Sequence, residues 1–186
     1  MRKLKLQVQM TIDGFMAGPN GGMDWLCLDW SDDIKEYVTE LTKNVDTILL
    51  GKNLAQGFIP HWTASLNSDQ PEEGAETFVM TPKVVFSKTL KVSEWERTTM
   101  ANGDLKTEVM ALKNKTGKDM IVYGGSQFVS SLIKEKLIDE LHLFINPAVI
   151  GKGLPIFHAV TEQQNFELVK ATSFECGIVV LRYKLK

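Results

Sequence analysis

Two adjacent glycines, Gly124 and Gly125, separate an apolar run from an amphipathic one in the segment DMIVYGGSQFVSSLIKEKL. A strand that leads directly into a helix leaves the first N–H groups of the helix unpaired, and a phosphate group can accept hydrogen bonds from them. Glycine at such a turn lets phosphate oxygens approach the backbone, because no Cβ is in the way. The residues that could bind a pyrophosphate in this way are Gly124, Gly125, Ser126 and Gln127. A tight turn that needs a positive φ explains the glycines equally well, and the G-x-G-x-x-G fingerprint is absent.

Two other predicted strands end in residues that suit a phosphate. The run DTILLG ends at Gly51 and is followed by Lys52, and the run KVVF is followed by Ser87, Lys88 and Thr89. If these two ends lie close together, they could hold the phosphates of a dinucleotide, including a 2′-phosphate, which lysine and hydroxyl groups bind well. For each lysine taken alone, an ordinary surface position is the commoner explanation.

Aromatic residues in the first third of the chain could line a site for a flat heterocycle, since small-molecule pockets are mostly apolar and aromatic. These residues are Trp25, Trp30, Phe58 and Trp62. Packing in the protein core is an equally good explanation for each of them.

The net charge and the hydropathy of the chain limit its partners. The chain has 186 residues, and its 21 Lys and Arg against 23 Asp and Glu give a net charge of -2 without blocks of like charge. This balance argues against a nucleic-acid or anionic-lipid partner. No apolar run approaches the length of a membrane span, and the N-terminus alternates instead of forming a signal-peptide core, so we expect a cytoplasmic protein.

The two cysteines, Cys27 and Cys176, are far apart in the sequence and belong to no C-x-x-C pair or Cys/His cluster, so no metal site is expected. Buried or idle thiols are the favoured interpretation. A cysteine nucleophile would need a neighbouring histidine base.

The hydrophobic periodicity predicts alternating strands and helices. Strands are predicted at Leu4–Met10 and in DTILLG, KVVFSKTL, DMIVYGG and ELHLFINPAVIG, and helices are predicted after Ser31, from KNLAQGF, in LKTEVMALKNKTG and from about Ser126. The segment TIDGFMAGPNGGMDW is predicted to be a long loop, and the segment from His61 to Thr77 is predicted to be irregular and at the surface. The segments NFELVKATSFE and GIVVLRYKL are predicted to form a closing antiparallel hairpin. This order indicates one α/β domain over residues 1–186, with a largely parallel sheet and antiparallel C-terminal strands. Ligands of such sheets bind beyond the carboxyl ends of the strands.

Several motifs occur in the order and spacing of a known superfamily: TIDGFMAG, GKNLAQGF, KVVFSKTL, MIVYGGSQFVSSLIKEKLIDELHLFINPAVIGKGLPIF and GIVVLRYKL. The chain resembles the dihydrofolate-reductase-like superfamily. The branch that it resembles contains the reductase domain of the bifunctional riboflavin-biosynthesis deaminase/reductase and its stand-alone bacterial relatives. The resemblance implies a three-layer α/β/α fold and an NADPH-dependent reductase.

The resemblance also implies roles for individual residues. It places the pyrophosphate of NADPH on Gly124, Gly125, Ser126 and Gln127, with Gly51, Lys52 and Asn53 beside it. It places the 2′-phosphate on Ser87, Lys88 and Thr89. It places the nicotinamide against Met16 and Ala17. The family commonly has Gly-Arg-x-Thr where this chain has Gly51, Lys52, Asn53 and Leu54. Lysine keeps the charge of the arginine but not its bidentate geometry, so weaker NADPH binding is expected.

Folate-reducing enzymes of this fold hold the substrate through a carboxylate that follows a tryptophan. Trp25 occupies the place of that tryptophan, but the expected carboxylate spacing falls on Trp30. Asp29 is therefore the best catalytic candidate, while Asp32 and Asp33 are better explained as first-turn helix charges. The family match places Asp13 beside the pocket, and a role in an Asx turn is equally compatible with its position.

The leading hypothesis is an NADPH-dependent reductase of a pyrimidine- or pterin-like small molecule, resembling 5-amino-6-(5-phosphoribosylamino)uracil reductase. A dihydrofolate reductase and a non-catalytic ligand-binding protein on the same fold are the alternatives. No H-x-E followed by P-C-x-x-C is present, so the deaminase half is missing. Pairing of the exposed C-terminal hairpin across a two-fold axis would cover an open sheet edge, and a homodimer is predicted.

Overall fold

Strands form where the sequence has short apolar runs bounded by glycine or polar turns. The computed structural model describes residues 1–186. Its strands are β1 (Leu4–Thr11), β2 (Phe15–Ala17), β3 (Val45–Gly51), β4 (Lys83–Phe86), β5 (Thr98–Ala101), β6 (Asp119–Val122), β7 (Glu140–Asn146), β8 (Leu154–Pro155), β9 (Phe166–Ser173) and β10 (Val179–Leu185). Its helices are α1 (Asp32–Thr42), α2 (Lys52–Leu66), α3 (Ala75–Met80), α4 (Leu105–Asn114) and α5 (Ser126–Lys134). None of these helices combines the length and the hydropathy that crossing a bilayer requires.

Eight strands form one sheet in the order β5-β4-β3-β6-β1-β7-β10-β9. The first six are parallel to their neighbours, and β10 and β9 run antiparallel at the end of the sheet. The predicted parallel sheet and its antiparallel C-terminal hairpin are therefore confirmed. Strands β2 and β8 form a separate two-stranded ribbon. All parallel strands end at one side of the sheet, called the carboxyl edge below.

Helices cover both faces of the sheet, which gives three layers. Successive residues of β3 point to opposite sides, so Leu49 packs with α4 and α5, whereas Ile48 and Leu50 pack with α1 and α2. All three side chains are fully buried. A strand buried on both faces needs apolar residues at consecutive positions, which explains the run ILL in this strand.

The structure of the segment from His61 to Thr77 differs from the prediction made from its sequence. It was expected to be irregular, but α2 continues to Leu66 and α3 begins at Ala75. Pro60 removes one backbone hydrogen bond from the helix interior. Packing across the two helices stabilises the extra turns, since the ring centroids of Trp62 and Phe78 are 4.4 Å apart. Tertiary contacts therefore outweigh the polar composition of this stretch.

Two kinds of short strand were also not expected. Strand β5 has the sequence TTMA and continues the parallel ladder beyond β4. The ribbon of β2 and β8 forms within stretches that are rich in glycine and proline. Strands of two to four residues carry too little periodicity to be recognised from the sequence alone.

A buried carboxylate joins the first strand to the C-terminal hairpin. The Glu140 side chain accepts hydrogen bonds of 2.8 Å from Lys3 Nζ and Arg182 Nη2, and its Oε2 lies 3.5 Å from His142 Nε2. The Nδ1 of His142 lies 2.7 Å from the Tyr37 hydroxyl group. The Nε2–H tautomer of a neutral His142 satisfies this arrangement, because Nδ1 then accepts from Tyr37. The neighbouring His142 ring is the main factor that lowers the pKa of Glu140, and Lys3 and Arg182 add to it against the opposing effect of burial.

We expect this group to make folding stability dependent on acid pH. A carboxyl group with a lowered pKa stabilises the fold above its unfolded pKa of about 4.3, and this contribution is lost as the pH falls below that value. The variant Glu140→Gln should lose about 1–3 kcal/mol of unfolding free energy at neutral pH, a range reduced because Lys3 and Arg182 are partly exposed. Urea unfolding at about pH 7 and about pH 4 should show a smaller pH dependence in the variant. Glu167→Gln is the control, since its pair with Lys184 is solvent-exposed and should change stability by less than about 0.5 kcal/mol.

Candidate functional site

The turn between β6 and α5 presents unpaired N–H groups at the carboxyl edge. Gly125 is the N-cap of α5 and has a φ of 83°, a conformation that side chains with a Cβ rarely adopt. The first hydrogen bond of the helix runs from the Val129 N–H to the Gly125 carbonyl group. The N–H groups of Ser126, Gln127 and Phe128 therefore have no backbone acceptor and can bind an anion.

Two neighbouring segments pack closely against this turn. A Cβ added at Gly51 would lie 2.9 Å from the Phe128 Cβ, so glycine at the end of β3 allows the strand to meet the start of α5. The Met16 methyl carbon lies 3.1 Å from the corresponding position at Gly124. Met16 and Ala17 are both buried, and Ala17 pairs with Leu154 in the small ribbon. The structure thus brings Met16, Gly51 and the glycine turn together.

The ends of β3 and β4 are also adjacent, as the sequence analysis required for a phosphate site. Gly51 pairs with Phe86 in the parallel ladder, and Lys52 Nζ donates a hydrogen bond of 2.9 Å to Thr89 Oγ1. The Ser87 hydroxyl oxygen accepts hydrogen bonds from the N–H groups of Thr89 and Leu90, which fixes the shape of the loop. Lys88 and Asn53 are exposed at the same edge. Two ammonium groups and three other polar side chains are therefore available here for an anionic group.

Tyr123 is a candidate that the sequence analysis missed. It follows β6 directly and precedes Gly124, so its position is at the carboxyl edge. Its ring stacks on Phe58 at a centroid distance of 5.9 Å and meets the edge of Phe78 at 5.3 Å. Burial raises the pKa of its hydroxyl group, which forms no hydrogen bond within the chain. A neutral phenol at this place can donate a hydrogen bond to a ligand, and its position before the glycine pair was the available signal.

Asp13 has a structural role in this fold. Its carboxylate accepts hydrogen bonds from the N–H groups of Ile150 and Gly151, the shorter of which is 2.7 Å. A hydrogen bond with Thr11 is the first cause that lowers the pKa of Asp13, and these two N–H groups add to it. A carboxylate that stays ionised while it holds a loop is poorly suited to donate a proton.

Asp29 lies on an exposed stretch before α1 and lines a cleft of about 590 Å³, called the α1 cleft below. The residues that line it are Leu28, Asp29, Trp30, Ser31, Lys35, Glu72 and Glu73. Lys35 pairs with Glu73 at 3.5 Å across this cleft and with Asp32 at 4.0 Å. The cleft therefore carries an excess of carboxylates. The Asp33 carboxylate, by contrast, already accepts a hydrogen bond from the Glu175 N–H within the protein.

Besides Trp30, the aromatic residues that could line a substrate site lie in different surroundings. Phe58 contacts Tyr123 near the carboxyl edge. Trp25 is half-buried, and its indole N–H is buried without a hydrogen-bond partner within the chain. Trp62 lies about 15 Å farther along α2 than Lys52, because a helix rises about 1.5 Å per residue. There it lines a cavity of about 460 Å³ beside Lys83, at the amino end of β4. The structure therefore does not bring Trp62 to the carboxyl edge.

The fold defined by these elements is that of the dihydrofolate-reductase-like proteins. A putative riboflavin biosynthesis protein from Shewanella sp. PV-4 superposes with a TM-score of 0.76 and 21% identity, over 100% of this chain and 99% of that chain. Dihydrofolate reductase from Enterococcus faecalis, in a complex with NADP(H), superposes with a TM-score of 0.63 and 16% identity, over 99% of this chain and 96% of that chain. At these identities the likeness establishes the fold.

Sequence comparison establishes the family. The sequence model of the RibD C-terminal domain matches residues 2–180, and the chain therefore belongs to the RibD C-terminal domain family. The uncharacterised protein YyaP of Bacillus subtilis (strain 168) is 30% identical over 188 residues, which cover 98% of this chain and 94% of YyaP. The riboflavin biosynthesis protein RibD of Corynebacterium ammoniagenes is 26% identical over 159 residues, which cover 84% of this chain and 46% of that protein.

Proposed function

We propose that this protein is an NADPH-dependent reductase of a small pyrimidine- or pterin-like heterocycle, similar to the reductase step of riboflavin biosynthesis. The observation that carries this proposal is the convergence of three strand ends at the carboxyl edge. The unpaired N–H groups of α5, the Lys52 and Thr89 pair, and Met16 against Gly124 all lie there. Membership of the RibD C-terminal domain family supports the same activity.

The residues present at this edge fit the parts of NADPH. The N–H groups of Ser126 and Gln127 would hold the pyrophosphate, and no Cβ at Gly124 or Gly125 obstructs it. The 2′-phosphate would be bound by Lys52, Ser87, Lys88 and Thr89, with Asn53 beside them. Met16 and Ala17 would contact the nicotinamide face. When bound, NADPH supplies the hydride, and the protein supplies position and a route for the proton.

The chain's own side chains would orient the heterocycle and exclude water from it. Phe58 and Trp25 offer aromatic surface, and the Tyr123 hydroxyl group can donate a hydrogen bond to a ring nitrogen or carbonyl oxygen. Asp29 is the proposed acceptor for N–H groups of the heterocycle and for the proton route. Asp13 would act indirectly, because it holds the loop around Gly151 in place.

The charge of the α1 cleft narrows the substrate class. Asp29, Glu72 and Glu73 outnumber Lys35, which is already paired with Glu73. A phosphate group placed there would meet like charges, whose repulsion disfavours binding. We therefore propose that the part of the substrate beside Asp29 is neutral or cationic and carries no phosphate.

Calorimetric titration of the purified protein with NADPH and, separately, with NADH tests the cofactor assignment. Binding of NADPH that is tighter than binding of NADH supports the site, and a panel of pyrimidines and pterins, with and without a phosphate, can then be screened by NADPH oxidation. Absence of binding for both nucleotides would contradict the reductase proposal and favour a ligand-binding protein on this fold. A dihydrofolate reductase is less favoured, because Trp30, which stacks on Phe144, stands where that enzyme needs a carboxylate.

We also propose that the protein forms a homodimer through the β9 end of the sheet. Strand β9 is exposed along most of its length and includes Leu168, which is 51% exposed. An apolar cavity of about 390 Å³ that includes Leu143, Phe157 and Tyr183 opens beside it. Such an edge is usually covered by another strand or another chain.

Light scattering coupled to size exclusion should give twice the mass of the chain at micromolar concentration. Leu168→Lys should shift the protein toward the monomer, because a charge would be buried in the contact. Val92→Lys, at an apolar residue exposed in a distant loop, should leave the dimer intact. A monomer mass for the unmodified protein contradicts this proposal.

A further inference from the structure

The fold brings the two cysteines of the chain together, although 149 positions separate them. The Cys27 Sγ lies 3.6 Å from the Cys176 carbonyl oxygen, so the two residues are in direct contact. Both side chains are partly exposed and neither is in a disulfide. The sequence analysis expected idle thiols, but their proximity makes a bond between them possible.

The segments that carry the two thiols are already docked on each other. Cys176 lies in the turn between β9 and β10, and its N–H donates a hydrogen bond of 3.2 Å to the Ser31 hydroxyl oxygen. The Glu175 N–H donates to Asp33 Oδ2 at 3.1 Å. On the other side, the Cys27 N–H donates to Asn146 Oδ1 at 3.0 Å. These contacts hold the two segments against each other.

The environments of the two thiols differ, which gives them different reactivity. Burial opposes ionisation of Cys176, but the Ile178 N–H and the other polar groups beside the thiol outweigh it and lower the pKa of the thiol. Burial and the neighbouring Cys176 raise the pKa of the Cys27 thiol. Since the thiolate is the nucleophile, Cys176 should react first with an external disulfide.

We propose that Cys27 and Cys176 form a redox-reactive pair that closes to an intramolecular disulfide when the protein meets a low-molecular-weight disulfide. The Cys176 thiolate attacks one sulfur of the small disulfide and releases one small thiol. The Cys27 thiolate then attacks Cys176 Sγ in the mixed disulfide and releases the second small thiol. The protein loses two electrons and two protons, and the small disulfide is reduced to two thiols.

The disulfide would fasten the turn between β9 and β10 to the stretch that carries Asp29 and Trp30. These two residues line the α1 cleft, so oxidation would restrict the movement of one wall of this cleft. A cross-link that closes a loop of this length also restricts the unfolded chain strongly. We expect the melting temperature to rise by about 5–10 °C on oxidation and to return after reduction.

Treatment with glutathione disulfide, followed by intact mass and peptide mapping without reduction, tests the proposal. The protein should lose the mass of two hydrogen atoms, carry no glutathione, and yield one linked peptide pair that contains Cys27 and Cys176. Cys27→Ser should retain one glutathione on Cys176, because the resolving thiol is missing. Cys176→Ser should react much more slowly, and neither variant should show the rise in melting temperature.

Three results would contradict the proposal that Cys27 and Cys176 form a redox-reactive pair. A stable glutathione adduct on the unmodified protein would show that Cys27 does not reach Cys176. A disulfide between two chains would show that the bond forms between molecules and not between Cys27 and Cys176 of one chain. An unmodified protein that stays fully reduced while Cys27→Ser accepts glutathione would show that the two thiols do not form a bond.

Discussion

Replacing Gly125 by aspartate is expected to raise the Kd of the protein for NADPH by at least about 100-fold, which corresponds to about 2.7 kcal/mol. Gly125 has a φ of 83°, so the new side chain strains the turn. The added carboxylate would also lie where the pyrophosphate is proposed to accept N–H groups, and it would repel that group. Calorimetric titration of the unmodified protein and the variant measures the change directly.

Gly21→Asp is the matched control for this experiment. Gly21 has a φ of 85° and no atom within 4 Å of an added Cβ, so the variant carries a similar backbone strain and the same charge in an open turn. Its NADPH affinity should stay within about threefold of the unmodified protein. Melting temperatures of both variants separate a loss of fold from a loss of binding. Normal binding by a folded Gly125→Asp protein would show that the pyrophosphate is not held at this turn.

The second large effect is expected at Lys52. The variant Lys52→Glu should weaken NADPH binding by about 10- to 100-fold, since a charge-assisted hydrogen bond contributes about 1.5–3 kcal/mol. Lys52 Nζ already contacts Thr89, which places the ammonium group beside the loop proposed for the 2′-phosphate. NADH lacks that phosphate, so its Kd should change by less than about threefold. The ratio of the two Kd values is therefore the informative measurement.

Lys115→Glu, at the exposed C-terminal end of α4, carries the same reversal of charge away from the carboxyl edge. It should leave both Kd values unchanged and controls for long-range electrostatics. An equal loss of NADPH and NADH affinity in Lys52→Glu would indicate that Lys52 binds the pyrophosphate instead of the 2′-phosphate. An unchanged NADPH affinity in Lys52→Glu would show that Lys52 does not contribute to NADPH binding.

Much of the architecture could be predicted because it depends on local patterns. The run ILL in β3 is typical of a strand covered on both faces, and the helical spacing after Ser31 matches α1. Gly51 and Gly125 mark the ends of two parallel strands, which must meet at one edge of the sheet. A phosphate site required the ends of β3 and β4 to lie close together, and the contact of Lys52 with Thr89 meets that requirement.

Other features depended on contacts that no local pattern reports. The continuation of α2 past Pro60 depends on Trp62 packing against Phe78 from another helix. Tyr123 gained its significance from the aromatic rings that surround it and from its unpaired hydroxyl group. The hydrogen bonds from Ile150 and Gly151 to Asp13 join segments that are at least 137 positions apart in the sequence.

The sequence by itself determined the alternation of strands and helices, the parallel sheet and the glycine turn before α5, because periodicity and backbone conformation act over a few residues. Only the tertiary structure decided which distant side chains meet. The pairs of Cys27 with Cys176 and of Glu140 with Arg182 join separate elements. Their proximity is set by the order of strands in the sheet, and the chain between two partners carries no signal of it.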